Sequence, residues 1–188
     1  DAATKGFRRT FCAITGKAAH RLRQTGCEGA TTVHKLIYKY VGQDENKNPI
    51  FRFEQDNDAG AYEVVVLDES STLSAQQLKD LLRNTLKLLV LGDSFQLPPV
   101  NGESVFGNTP DVLLSKIHRQ PAGSPIIQAA THVREYFDPD FPVASNEQGI
   151  CTFTTDEAEA IARIPHVDQV LVGTHERRKD VNRYMREY

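Results

Sequence analysis

The chain has 188 residues, 39% hydrophobic and 25% charged, with a net charge of −3, close to the average for globular proteins. This is enough for one domain with a real core, or one domain plus part of another. No apolar run approaches the roughly 20 residues that a membrane span requires, and the polar stretch Asp1 to Arg9 lacks a signal-peptide pattern. Cys12, Cys27 and Cys151 are odd in number and widely scattered, which argues against a disulfide framework or a zinc site and fits a reducing compartment. The expected setting is therefore intracellular, a soluble cytoplasmic protein with no membrane partner.

Thr10 to Ile14 predicts a short strand, followed by Thr15-Gly16 and a helix from Lys17 to Gln24. Gly26 and Gly29 punctuate a loop, and Thr31-Thr32 offers an N-cap for a short helix through Val33, Leu36 and Ile37. Tyr38, Tyr40, Ile50, Phe51 and Phe53 flank the polar tip Gln43 to Asn48, the pattern of a β-hairpin. Residues 62–67 are almost continuously apolar, as in a strand covered on both faces. Ser74-Ala75-Gln76-Gln77 reads as a capping box opening a helix with Leu78, Leu81 and Leu82 on one face.

Leu86 to Leu91 predicts a second buried strand, Pro98-Pro99 ends regular structure, and Val112 to Ile117 predicts another strand. Pro125 suits the first position of a helix that runs through Ile126, Ile127, Ala130 and Val133. The acidic, proline-punctuated stretch 138–149 reads as a linker or loop. A strand (Ile150 to Phe153), a helix (Asp156 to Ile164), a strand (Val170 to Val172) and a helix (Arg177 to Met185) follow. Strands alternating with helices predict a parallel α/β architecture.

Charge is unevenly spread. Residues 1–40 hold eight basic residues against two acids, a net of +6, whereas residues 135–160 hold seven acids and no Lys or Arg. Such runs usually decorate solvated faces, but a basic first segment is also what a polyanion-binding edge needs.

Two strand ends carry the chemistry. Val64-Val65-Val66-Leu67 runs into Asp68-Glu69, and Leu91-Gly92 into Asp93-Ser94-Phe95-Gln96-Leu97-Pro98-Pro99-Val100. In a parallel sheet both ends lie along the edge where open α/β sheets bind ligands. An acid there holds Mg²⁺ through its waters, and a neighbouring acid orients or deprotonates an attacking water. An Asp-Glu pair also simply ends a strand. A glutamine near a γ-phosphate senses it by hydrogen bonding without adding charge, and Pro98-Pro99 stiffens the loop that carries Gln96.

Gly92-Asp93-Ser94-Phe95-Gln96-Leu97-Pro98-Pro99-Val100 resembles motif III of superfamily 1 helicases, in the RecD-like branch that moves 5′ to 3′. Leu67-Asp68-Glu69-Ser70-Ser71 resembles that family's motif II, Ile14 to Ala19 its motif Ia, and Ala30 to Leu36 its motif Ib. Ile117-His118-Arg119-Gln120 with Ser124-Pro125-Ile126-Ile127 resembles motif IV and its trailing helix. The resemblance implies a RecA-like P-loop NTPase fold, α/β, with a parallel sheet flanked by helices and a small β-hairpin insertion at about 38–57. It implies a partial first motor domain over 1–137, the linker 138–149, and the start of a second motor domain over 150–188.

The resemblance also implies an ATP-dependent DNA helicase or translocase with ATP and Mg²⁺ as cofactors and single-stranded DNA as partner. Asp68 holds the magnesium and Glu69 activates the hydrolytic water. Asp93, Gln96 and Arg119 belong to the nucleotide site, with Gln96 on the γ-phosphate and Arg119 stabilising transition-state charge as arginine fingers do. Thr15, Gly16, Lys17, Thr32 and His34 lie along the DNA track. Thr32 serves equally well as a plain N-cap, and His34 as a packed core histidine. Tyr38, Tyr40, Phe51 and Phe53 of the insertion either stack on bases at a fork or pack the hairpin onto the domain. RecD-like exonuclease subunits extend the implied partners to nuclease and helicase subunits, and the implied processes to recombination and repair.

Thr15-Gly16-Lys17-Ala18 is a near miss to a phosphate-binding loop: Ala18 stands where Ser or Thr is required, and Phe11 where the first Gly is required. No other Walker A match occurs, and the residues after Val170 resemble only the opening of a second motor domain, ahead of motifs V and VI. The expectation is a fragment of a larger helicase, without useful ATPase activity by itself. An RNA helicase of the same superfamily and a non-catalytic nucleic-acid-binding module are the alternative readings.

Overall fold

The computed structural model describes residues 6–99, 105–106, 109–115, 123–136, 144–146, 149–151 and 154–187. The chain forms two compact units, Asp1–Leu113 and Leu114–Tyr188.

The first unit holds β1 (Arg9–Ala13), α1 (Gly16–Gln24), β2 (Thr31–Thr32), α2 (Val33–Ile37), β3 (Tyr38–Gln43), β4 (Pro49–Phe53), β5 (Val64–Asp68), α3 (Ala75–Asn84) and β6 (Leu88–Val90). Four of the strands make one sheet in the order β2-β1-β5-β6, and every neighbouring pair is parallel. The expected α/β architecture, a parallel sheet with helices and an inserted hairpin, is present. Ala13 stands opposite both Thr32 and Asp68, and Leu67 stands opposite Val90. This register brings the carboxyl ends of all four strands to one edge.

The core forms where apolar sequence meets that sheet. Val64 to Leu67 are four consecutive buried residues in β5, an interior strand of the sheet. Cys12 of β1, Val33, Leu36 and Ile37 of α2, and Leu73 and Leu81 around α3 close on Val65 and Leu67. Burying a side chain the size of Leu67 stabilises the fold by about 1.5–3 kcal/mol. Burial also pushes the Cys12 thiol up to about 12, so it is a packing residue.

The helix starts follow their caps. The Thr15 hydroxyl accepts the Ala18 N–H at 3.2 Å, and the Thr32 hydroxyl accepts the Lys35 N–H at 3.2 Å. At α3 the capping box is complete: Ser74 Oγ accepts the Gln77 N–H, and the Ser74 N–H donates to Gln77 Oε1.

β6 departs from the expected buried strand. It spans only Leu88–Val90, pairs with β5 alone among the described residues, and leaves Leu86, Leu89 and Leu91 substantially exposed. A continuous apolar run encodes extended backbone, but burial depends on a neighbour to cover it. The hairpin forms as expected, β3 antiparallel to β4, with an irregularity between Tyr40 and Gly42. Tyr38 and Phe53 at its base pack against the core, whereas Tyr40 and Phe51 further out are about half exposed.

The second unit contains α4 (Pro125–Tyr136), β7 (Ala144–Asn146), β8 (Gly149–Cys151), α5 (Glu157–Arg163) and α6 (His175–Glu187). α4 begins at Pro125, and Asp156 caps α5 by accepting two backbone N–H groups, as the local sequence requires. Three expectations are corrected. Part of the stretch read as linker is a strand, since β7 pairs antiparallel with β8. Val170 to Val172 form no strand, and neither do the described residues 112–115. Both runs are β-prone, but a strand exists only through a paired ladder, and among the described residues neither has a partner strand. No helix of the described residues is long and apolar enough to cross a membrane.

Candidate functional site

The sheet register decides which side chains meet. Asp68 is the last residue of β5, level with the end of β1, where Ile14 and Thr15 lead into α1. On the other side the Leu91 N–H donates to Leu67 O at 2.8 Å, extending the ladder one residue past β6 and delivering Gly92 and Asp93 to the same edge. The residues of motifs Ia, II and III therefore lie side by side, the placement expected for ligand binding in an open α/β sheet.

Directly after Asp68 the chain makes a sharp turn. Glu69 adopts a left-handed conformation, φ 54° and ψ 48°, and opens a 3₁₀ turn over Ser70–Thr72. A side chain in this region of φ/ψ space stores about 1–3 kcal/mol of strain, and such residues cluster at functional sites. Asp68 is half-buried and Glu69 exposed, and neither carboxylate takes a hydrogen bond or ion pair among the described residues. Both are available to a ligand.

The second loop is held against the first by three contacts. The Ser70 N–H donates to Leu91 O at 3.1 Å. Gly92 packs closely on this turn: a Cβ there would stand 2.3 Å from Ser70 Oγ and would force that hydroxyl to turn away. Ser71 Oγ donates to Gln96 Oε1 at 3.4 Å. Within the loop, the Phe95 N–H donates to Asp93 Oδ1 and the Gln96 N–H to Asp93 O, an Asx-supported turn that presents Gln96 at the surface. Ser70, Ser71 and Gly92 carry no obvious chemistry in the sequence, and their part in the site comes from proximity. The visible signal was small side chains just after the acids and at the head of the second motif.

Hard oxygen donors at this edge fit Mg²⁺. Among the described residues no group of three or more His, Cys, Asp or Glu side chains converges to hold a metal alone. A glycine-rich cradle for nucleotide phosphates is lacking from the 188 residues.

Further along the edge, Thr15, Gly16 and Lys17 are exposed at the start of α1, and Thr32 stands at the start of α2. Both threonine hydroxyls cap their helices. His34 is turned toward protein: its ring lies 5.2 Å from that of Tyr38 and 5.7 Å from that of Phe51, and Nδ1 is 3.4 Å from Gln77 Nε2. Arg119 and the rest of Ile117 to Gln120 lie outside the described residues, as does Val100.

A different acid site lies in the body of the unit. The buried Asp80 carboxylate accepts hydrogen bonds from Tyr38 Oη at 2.7 Å and Gln76 Nε2 at 3.0 Å, with Arg83 Nε 3.6 Å away. Burial alone would raise its pKa, but the bonds from Gln76 and Tyr38 and the Arg83 charge together hold it below the ordinary carboxylate value. Burial, then the bond to Asp80, raises the Tyr38 phenol well above its usual range. This cluster fixes the base of the hairpin to α3.

Residues 2–148 match the AAA domain family (AAA_30). The chain is 33% identical over 127 residues to the ATP-dependent RecD2 DNA helicase of Deinococcus radiodurans, a match covering 64% of this chain and 17% of that protein. Its fold is similar to that of a Pif1 helicase from Bacteroides, with a TM-score of 0.50 and 18% identity over 97% of this chain and 47% of the other. A Pif1 helicase from a structural study of forked duplex unwinding gives a TM-score of 0.53 and 20% identity over 97% of this chain and 48% of the other. The chain thus spans about half the length of these solved helicases and a much smaller share of the curated relative. It belongs to the AAA domain family.

Proposed function

We propose that this chain carries the acid and sensor edge of an ATP-dependent DNA translocase. The observation that carries the reading is the convergence of Asp68, Glu69, Asp93 and Gln96 on one sheet edge, with Glu69 held in a strained turn. When bound, Mg-ATP supplies a polarised γ-phosphoryl group and a leaving diphosphate. Asp68 holds the metal's water shell, Glu69 accepts the proton of the attacking water, and Gln96 donates to the γ-phosphate. Arg119, by the resemblance of its motif, supplies positive charge to the γ-phosphoryl group as negative charge develops in the transition state. Asp93 braces the turn that presents Gln96, as its hydrogen bonds to the Phe95 and Gln96 N–H groups suggest.

Single-stranded DNA runs along Thr15, Gly16, Lys17 and Thr32, where exposed backbone N–H groups and the Lys17 ammonium meet phosphates. The contacts of His34 support a smaller part for it, bracing α2 against the hairpin. The phosphate cradle is supplied from outside these 188 residues, and the division into a first motor domain, a linker and a second motor domain belongs to the same proposal. Similarity to an ATP-dependent DNA helicase favours DNA over RNA.

The test is ATP turnover by the full-length gene product with and without single-stranded DNA, beside its Glu69→Gln variant. The expected outcome is DNA-stimulated turnover that falls by about 10²–10⁴-fold in the variant, the usual contribution of a general base. No turnover in the intact product, with DNA binding retained, would replace the motor reading with a nucleic-acid-binding module.

A further inference from the structure

The proposed reaction needs Gln96 to present one particular end of its side chain. A phosphate oxygen only accepts hydrogen bonds, so the amide must offer its NH₂ group. With its carbonyl outward, it would set a partial negative charge against the anion. Gln96 is exposed on a turn, and a free glutamine samples both senses of its terminal amide along with many rotamers. Something must select one.

Ser71 is placed to do so. It is 9% exposed, seated in the 3₁₀ turn that follows Glu69, and its Oγ reaches Gln96 Oε1 at 3.4 Å. With Oε1 engaged, Nε2 takes no partner among the described residues and is left for a ligand. The Gln96 loop is tied to the turn that carries Ser71. The neighbouring Ser70 donates its N–H to Leu91 O, and its Oγ packs closely on Gly92. The contact is long for a hydroxyl bond, as catalytic hydrogen bonds often are before the substrate tightens them.

We propose that Ser71 is a positioning residue, whose hydroxyl holds the Gln96 carbonyl so that its NH₂ group faces the anionic end of the bound nucleotide. The same short turn then sets both reacting groups: Glu69 through its left-handed backbone and Gln96 through the Ser71 side chain. This inference rests on the motor reading given above.

The experiment is a double-mutant cycle in the full-length gene product using Ser71→Ala, Gln96→Ala and the pair, with Ser71→Thr as the variant that keeps the hydroxyl. Ser71→Ala is expected to lower kcat by about three- to tenfold, the worth of one neutral hydrogen bond. Ser71→Thr should restore most of that, and Ser71→Ala should add nothing once Gln96 is gone. A second readout uses no nucleotide: the ¹⁵N side-chain amide resonance of Gln96, assigned by its loss in Gln96→Ala. It should move in Ser71→Ala and stay in place in Ser71→Thr.

If Gln96→Ala slows turnover and Ser71→Ala multiplies that loss in full, the positioning role is overturned while the motor reading stands. An unmoved Gln96 resonance in Ser71→Ala overturns it equally. If Gln96→Ala leaves turnover unchanged, Gln96 is no sensor, and both this inference and that part of the motor reading fall.

Discussion

Two groups of acids lie in the first unit, and they are built on opposite physical terms. Asp80 is buried, and its carboxylate is fully engaged by Tyr38, Gln76 and Arg83, so its charge holds the hairpin base to α3. Asp68 and Glu69 sit at a strand end without hydrogen-bond partners among the described residues, and Glu69 stands in a strained backbone conformation. A carboxylate whose hydrogen-bonding capacity is used up stabilises a fold. One left to solvent at a strand end, on a backbone held in a strained conformation, is open to the role proposed for it. Acid content alone does not separate the two groups; their partners do.

The sharpest way to break the comparison is to delete one acid from each group. Asp80→Ala is expected to lower unfolding free energy by about 2–3 kcal/mol, because it strands the Tyr38 hydroxyl and the Gln76 amide at a part-buried site. Asp68→Ala should stay within about 0.5 kcal/mol of the parent, as surface changes without partners do. Urea denaturation of both variants reads the contrast, and equal losses would dissolve it.

Strain offers a second, smaller test with the opposite sign. Glu69→Gly removes a left-handed penalty of about 1–3 kcal/mol at a backbone-entropy cost of about 0.5–1 kcal/mol, and so should stabilise the chain slightly while abolishing turnover in the full-length product. A drop in melting temperature would show that the Glu69 side chain contributes packing that its exposure does not suggest.

The smallest expected effect is in pH. The folded pKa of Asp80 lies below its unfolded value, so its contribution is present above the unfolded value of about 3.9 and is lost as pH falls through the lower folded value. The stability gap between the parent and Asp80→Ala should therefore be widest near neutrality and narrow below about pH 4. Acid-unfolding curves of the two proteins at fixed ionic strength measure it.

Much of the placement of the candidate site was legible because its acids stand in short local runs. Four apolar residues before Asp68-Glu69 announce a buried strand with acids at its exit, and Ser74 with Gln77 announces the next helix. The hairpin was equally plain, since its aromatics flank a polar tip. The misjudged elements share one cause. Leu86 to Leu91, the described residues 112–115, and Val170 to Val172 are β-prone runs whose burial or pairing depends on residues distant in the chain. β7, within a stretch rich in acids and prolines, was hidden for the converse reason, since pairing with β8 overrides weak local preference.

The sequence by itself determined the helix caps, the parallel α/β class and the identities of the acids, because each depends on residues within a few positions of one another. Tertiary structure alone decided which acids are engaged by partners and which are left open, that Gly92 packs on Ser70 Oγ, and that Ser71 reaches Gln96. These depend on sheet register, which brings residues 22 or more positions apart to within a few ångströms, and no local pattern encodes that distance.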